Sequence, residues 1–281
     1  MIHLEHQQSK LSIDPKRGAN VASWSIEGQD IFYVDPDSYA QPNVKYTGGH
    51  PIMFPIFSTL GLQGSSQLRY DGKAIALSQH GLARLSKNWG HEQLGSHSVV
   101  LKLESSEETL SIFPWEFELN VTYTLHERQL TLSQSVHNTG GSTMPFVVGF
   151  HPYFAVSRAS NCEVMGLVEG TPCQKISNHG PDDLNHHLPH RFNFARDEIN
   201  HHFVSQARHT QLIDRLSGRR IAVRPDQHYP CLTVWSEPQK PFVCLEPVTG
   251  RRGAFETREN LIRLAPGETW SGTIEMEVLS L

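Results

Sequence analysis

Three short segments place groups that can move or hold a proton beside glycines or strand ends. The first is SQHGLAR (78–84), in which Gln79, His80 and Arg84 surround a glycine that lets the backbone turn tightly. The second is MPFVVGFHPYF (144–154), an apolar run with His151 near its end. The third is CLTVWSEPQKPFVCLEP (231–247), whose last apolar run closes on Glu246 and Pro247. An ionised carboxylate at the end of an apolar strand is costly to desolvate unless it is paired or opens on a cleft. Two readings of Glu246 therefore stand: the strand ends there and the side chain points to solvent, or Glu246 is a general base at the mouth of a site. His151 is a satisfied, partly buried imidazole or a proton-transfer group. Arg84, an Arg in a turn, reads by itself as a solvated surface charge. Spacing along the chain does not bring the three segments together.

The elements that must position these groups read as strands. Runs 232–235 and 242–245 are rich in β-branched and aromatic residues, and a Pro-rich turn joins them. Residues 22–26 alternate polar and apolar, turn at Glu27-Gly28, and continue as a strand over 31–34. Residues 117–125 and 130–136 make the plainest hairpin, and 212–214 with 220–224 suggest a second. Residues 98–103, 144–154, 261–264 and 270–279 add further strands. Residues 47–65 hold Pro51 and Pro55 among large apolar groups, which predicts a buried, irregular segment with a rigid path. Residues 177–209 are polar and histidine-rich and read as long loops. No long segment keeps a helical period. The expected fold is all-β, a large antiparallel sandwich. No repeat, linker or low-complexity tract divides the chain, so residues 1–281 read as one domain.

The totals narrow the partners. A net charge of -5 argues against nucleic acid or an anionic membrane, both of which favour a basic face. A 38% hydrophobic share suffices for a sizeable core, yet no run approaches the ~18 apolar residues of a membrane span. MIHLEHQQSK lacks the basic-then-apolar pattern of a signal peptide. Four cysteines without a C-x-x-C pair suit reduced structural thiols, and the expected location is cytoplasmic.

GGHPIMFPIF (48–57), QHGLAR (79–84), GFHPYF (149–154), TVWSEPQKPFVCLEP (233–247) and ENLIRLAPGETW (259–270), in that order, resemble the aldose 1-epimerase family, the galactose mutarotase-like proteins. The resemblance covers about residues 10–278. It implies a β-sandwich that binds a hexose in an open cleft on one sheet and interconverts its anomers without cofactor or metal. It also implies roles. Glu246 is the general base and His151 the general acid. His80 holds and polarises the sugar. Arg84 binds substrate oxygens, or phosphate in the hexose-6-phosphate branch. Gln79, Asn200 and Trp235 complete the expected substrate-binding set, with Phe54, Tyr153 and Trp235 offering ring faces to the sugar or packing in the core. Mutarotation requires a base for the anomeric hydroxyl and an acid for the ring oxygen. A carboxylate (~4.3) and an imidazole (~6.5) have pKa values in the right order for those tasks.

The sequence departs from the family pattern at two positions. Thr47 stands where the hexose-6-phosphate branch carries a second Arg, which removes half of a bidentate phosphate clamp. Arg69, Arg158, Arg251 and Arg252 are candidate substitutes or surface charges. Asn200 stands where the family tends to carry a sugar-binding Asp, with Asp197 nearby. Three alternatives stand beside it: a non-catalytic sugar-binding or regulatory protein, a hexose-6-phosphate mutarotase, and a glycosidase or lyase using two carboxylates. The last is disfavoured because Glu246 is the one carboxylate among the candidate site residues. His179, His186, His187, His190, His201, His202 and His209 crowd one region, but no pair falls in a metal-ligand motif, so no metal is expected there.

Overall fold

A computed structural model describes residues 1–41, 47–177, 180–205 and 209–281. About 48% of the chain is strand and 8% helix. Among the described residues the α-helices are short, Pro36–Tyr39, Glu107–Ile112 and Ala254–Thr257, and no helix is long and apolar enough to cross a membrane.

Two eight-stranded antiparallel sheets dominate the described residues. One runs, edge to edge, through Cys162–Met165, Thr210–Asp214, Arg220–Pro225, Thr269–Ser280, Gln129–Asn138, Phe117–Leu125, Ser98–Glu104 and Gly90–Gln93. Its centre is the expected hairpin, paired from Leu125 with Leu130 to Phe117 with Asn138. Strict alternation of buried and half-buried residues along Phe117–Leu125 marks a strand with one face inward. The other sheet carries the candidate site. Its order is Asp183–His187, Pro172–Lys175, Ile199–Val204, Cys231–Ser236, Phe242–Val248, Gly149–Phe150 and Ile52–Met53, with Tyr153–Ala155 also paired to Phe242–Val248. One apolar cluster takes in Val234, Val243 and Leu245 from this sheet and Leu119, Val121, Leu132 and Ile274 from the first, so the two are layers of a sandwich.

Three expectations are corrected. Residues 177–209 are not all loop: Asp183–His187 and Ile199–Val204 are strands. Composition hid the second because its polar residues are themselves buried, His201 and His202 among them, and it therefore lacks the usual apolar signature. His179 lies outside the described residues. Residues 144–154 form three pieces instead of one strand: Met144–Phe146, Gly149–Phe150 and Tyr153–Ala155. Pro145 and Pro152 lack the N–H a continuous ladder needs. Gly149 also sits so close to the neighbouring strand that a Cβ would lie 2.5 Å from the Pro247 carbonyl oxygen. Residues 31–34 contribute only isolated bridges, Phe32 to Phe154 and Val34 to Gly48.

Candidate active site

Register on the second sheet decides which side chains meet. Asn200 pairs with Trp235, Trp235 with Cys244, and Cys244 with Tyr153. In the next row Gln174 pairs with His202, His202 with Thr233, and Thr233 with Glu246. Cross-strand partners share a face. These two polar and aromatic rows therefore lie on one side of the sheet, while the intervening Leu232, Val234, Val243 and Leu245 enter the sandwich core.

The remaining groups arrive on loops fastened to this face. The Phe54 carbonyl accepts from Leu82 N (2.8 Å) and Ala83 N (3.1 Å), and His80 N donates to the Ser58 carbonyl (2.8 Å). Residues 51–58 thus hold the QHGLAR segment in place. Gly81 has φ +79, and a Cβ there would lie 2.2 Å from the Phe54 oxygen, so that contact requires glycine. The Ser58 amide donates to His80 Nδ1 at 3.2 Å. This leaves the neutral ring's proton on Nε2 and makes that nitrogen a donor. His151 sits at the break between Gly149–Phe150 and Tyr153–Ala155, its amide bonded to the Pro51 carbonyl (3.0 Å).

Together these segments line a cleft of about 230 Å³. Glu246, His151, His80, Arg84, Gln79, Asn200 and Trp235 all face it. The cleft is smaller than the ~300–1,000 Å³ typical of drug-sized ligand sites, which suits one small polar molecule. A larger hollow of about 590 Å³ lies elsewhere, near Cys162, Phe192 and Phe194. There Glu163 is already held by Arg191 and Arg215, so size does not locate the chemistry.

His151 Nε2 and Glu246 Oε1 are 3.5 Å apart. The two adjoin each other, so a ligand that meets both must lie over the pair, not between its members. Glu246 is only 1% exposed, Oε2 has no hydrogen-bond partner, and burial pushes its carboxyl well above the usual carboxylate range. The His151 ring stacks on Tyr153 (4.6 Å, 9°) and meets Trp235 (5.4 Å) and His80 (5.3 Å) edge-on. Arg84 has no carboxylate within 4 Å among the described residues, and its Nε is buried without a hydrogen-bond partner. Burial draws its pKa down, with Tyr153 acting against that. An adjoining acid and base, ringed by donors, can shuttle protons between two oxygens on one carbon.

The other sequence expectations divide. Tyr153 and Trp235 line the cleft, whereas Phe54 is fully buried against Phe113, Phe117 and Phe146. His50, in the GGHPIMFPIF motif, is likewise core, stacked on Phe32 and Phe150 and pushed down to about 3 by burial. Asp197 is exposed and does not line the cleft. Arg251 and Arg252 pair with Glu259 and Asp182, and neither they nor Arg69 and Arg158 line the cleft. Arg84 is the one Arg or Lys among the described lining residues.

His202, Thr233, Ser58, Phe57 and Glu237 also line the cleft and were not singled out for it from sequence. His202 matters most. Its Nε2 is 2.7 Å from Asn200 Oδ1, and burial pushes its pKa down to about 3, so the ring is neutral. Its Nδ1 is buried without a partner. A bare lone pair there costs less than a bare N–H, which places the proton on Nε2, donating to the Asn200 oxygen. The Asn200 amide nitrogen is thereby turned toward the cleft as a donor, where the family's Asp would present acceptors.

Comparison with known proteins agrees with the architecture. The sequence is 25% identical to the chromosomal protein LacX of Lactococcus lactis subsp. lactis over 275 residues, covering 85% of this chain and 89% of LacX. The solved structure of the Slr1438 protein from Synechocystis sp. PCC 6803 superposes with TM-score 0.88 at 30% identity, covering 99% of this chain and 94% of that one. A galactose mutarotase related enzyme from Lactobacillus acidophilus shares the fold at TM-score 0.80 and 21% identity, with coverage of 99% and 97%. The sequence model for aldose 1-epimerase matches residues 1–277, a span that holds the whole second sheet and every described cleft-lining residue, and the chain therefore belongs to the aldose 1-epimerase family.

Proposed function

We propose that this protein is a mutarotase that interconverts the α and β anomers of a free hexose. The observation that carries the proposal is the 3.5 Å approach of His151 to a buried Glu246 with an unpartnered oxygen, at a cleft of single-sugar size. In this reading Glu246 takes the proton of the anomeric hydroxyl while His151, as imidazolium, delivers one to the ring oxygen. Both oxygens are bonded to C1, so an acid and a base side by side can serve them at once. The ring opens, the C1–C2 bond rotates, and the reverse transfers close the other anomer. Burial suits Glu246 to the task, because a raised pKa makes the carboxylate a stronger base. His80 Nε2, Arg84, Gln79 and the Asn200 amide donate to sugar oxygens, and the Trp235 and Tyr153 rings face its C–H surface. Each positioned acid or base typically contributes about 10²–10⁴-fold. The four buried, unbridged cysteines fit a reducing, cytoplasmic setting.

A second reading, a hexose 6-phosphate as substrate, is favoured by Arg84, which lines the cleft without a carboxylate partner. Thr47 in place of a second Arg weighs against it. Polarimetry on fresh α-D-glucose, α-D-galactose and their 6-phosphates tests both readings. Rates above buffer are expected for at least one free hexose. Buffer rates throughout, with sugar binding retained, would instead identify a sugar-binding protein.

A further inference from the structure

Directly beneath the proposed acid–base pair lies a thiol that mutarotation does not use. Cys244 and Glu246 are two residues apart on strand Phe242–Val248, hence on the same face, and His151 stands against both. One donor atom from each, Sγ, a carboxylate oxygen and an imidazole nitrogen, all lie within 4.8 Å of one another, and all three residues are buried. Among the described residues no other three histidine, cysteine or carboxylate donors come together in this way, including those of the histidine-rich stretch.

We propose that His151, Cys244 and Glu246 form a binding site for a thiophilic divalent cation, Zn²⁺ or its spectroscopic stand-in Cd²⁺, and that cation and sugar exclude each other. The donor set is right for a borderline-soft ion: one thiolate, one imidazole, one carboxylate. Bond lengths of ~2.0–2.3 Å at tetrahedral angles place neighbouring donors about 3.3–3.6 Å apart. The His151–Glu246 edge already measures 3.5 Å. The longest edge, at most 4.8 Å, must shorten by roughly 1 Å, which small side-chain rotations supply. Charge balances too. The thiol gives its proton to solvent on binding, so two anionic ligands and a neutral imidazole neutralise the 2+ ion. The Glu246 carboxylate, with an oxygen that no protein group satisfies, gains a partner. His151 and Glu246 line the cleft, so a fourth ligand can be water from that side. Because the nitrogen and the carboxylate would be the same atoms that move the sugar's protons, an occupied site has neither acid nor base.

The test reads binding first. Cd²⁺ is titrated into the full chain and into Cys244→Ser while the thiolate-to-metal charge-transfer absorption is followed. The wild type is expected to show one more thiolate equivalent than the variant. Zn²⁺ affinity, from calorimetry, is expected to fall at least about tenfold in the variant, the scale of losses at metal sites. Equal absorption and equal affinity in the two folded proteins would overturn the site. Should the variant fail to fold, zinc X-ray absorption on wild type at one equivalent serves instead. One sulfur at about 2.3 Å is expected, and a purely nitrogen–oxygen shell would refute the proposal. These readouts need no turnover, so the metal site and the mutarotase reading stand or fall separately. Where a sugar is turned over, Zn²⁺ is expected to raise its KM with kcat unchanged, and a fall in kcat at constant KM would count against exclusion.

Discussion

Replacing Glu246 with Gln separates what a buried carboxylate does for chemistry from what it costs the fold. The residue is 1% exposed, one of its oxygens has no partner, and burial raises its pKa well above the usual range. An unfolded Glu titrates near ~4.3. Between that value and the raised folded one, the native chain keeps a proton that the unfolded chain has lost. Stability rises with pH only where the unfolded state holds more protons, so here it falls as pH climbs through the window. Above the window the full cost of a buried charge remains. An unmade buried polar group costs ~1–3 kcal/mol, and a charged one more, so removing the charge is expected to return about 1–3 kcal/mol at pH 8. A change of 1 kcal/mol moves Tm by about 2–4 °C in chains near this size, which puts the rise at about 2–12 °C. As pH falls to about 4, at or below the ~4.3 of the unfolded carboxyl, the two proteins should melt nearly together. Over the same change kcat should fall by about 10²–10⁴-fold. Calorimetric melting at the two pH values, alongside polarimetry, measures all of this. A Gln variant that is less stable at pH 8 would show that Glu246 is a structural anchor, and one that turns over sugar at the wild-type rate would end its role as base.

His151→Asn should lower kcat by about 10²–10⁴-fold in polarimetry without changing the fold, and an unaltered rate would place the acid elsewhere. Arg84→Ala removes a charge-assisted hydrogen bond, a loss of about 1.5–3 kcal/mol. A hexose 6-phosphate should therefore lose roughly 10–100-fold in kcat/KM and a free hexose much less, whereas equal losses would argue against phosphate recognition. His202→Phe frees the Asn200 amide to rotate, so KM should rise about 3–10-fold, on the scale of one neutral hydrogen bond, with kcat nearly constant. His202→Gln, which keeps a donor, should recover most of that loss, and a matched fall in kcat for both variants would mark His202 as merely structural. The acid limb of kcat/KM should lie above the ~4.3 of an ordinary Glu, because the proposed mechanism needs Glu246 ionised and burial holds its proton to higher pH. A limb at or below ~4.3 would contradict the assignment.

Much of the fold was legible because its strands are half-buried and alternate. Residues 117–125 were expected as a strand and are one over that same span. That Glu246, His151, His80 and Arg84 face one cleft was legible through their motifs, the first three each beside a glycine or proline that shapes the local backbone. His202 and Thr233 were not. Their place on the cleft face follows from pairing of Ile199–Val204 with Cys231–Ser236, and a run reading INHHFV carries no hydrophobic period to announce a strand. Phe54 shows the opposite limit. An aromatic residue beside a site motif and one in the core look the same in sequence, and only the direction of its side chain separates them. Arg252 was read as a substitute clamp or a surface charge and is neither: it is 8% exposed and paired with Asp182 at 3.0 Å.

The strand Phe242–Val248 explains how one sheet can hold both core and chemistry. Its residues are buried at every position, yet the two faces do opposite work. Val243 and Leu245 enter the sandwich core, and each fully buried side chain of that kind contributes about 1.5–3 kcal/mol. Together they offset the ~1–3 kcal/mol or more of an unsatisfied Glu246 on the other face. The alternation that places Glu246 in the cleft thus also supplies the energy that keeps it there. Substitutions along this strand should therefore change sign residue by residue. Truncating Val243 or Leu245 destabilises the chain, while neutralising Glu246 between Leu245 and Pro247 stabilises it and removes catalysis.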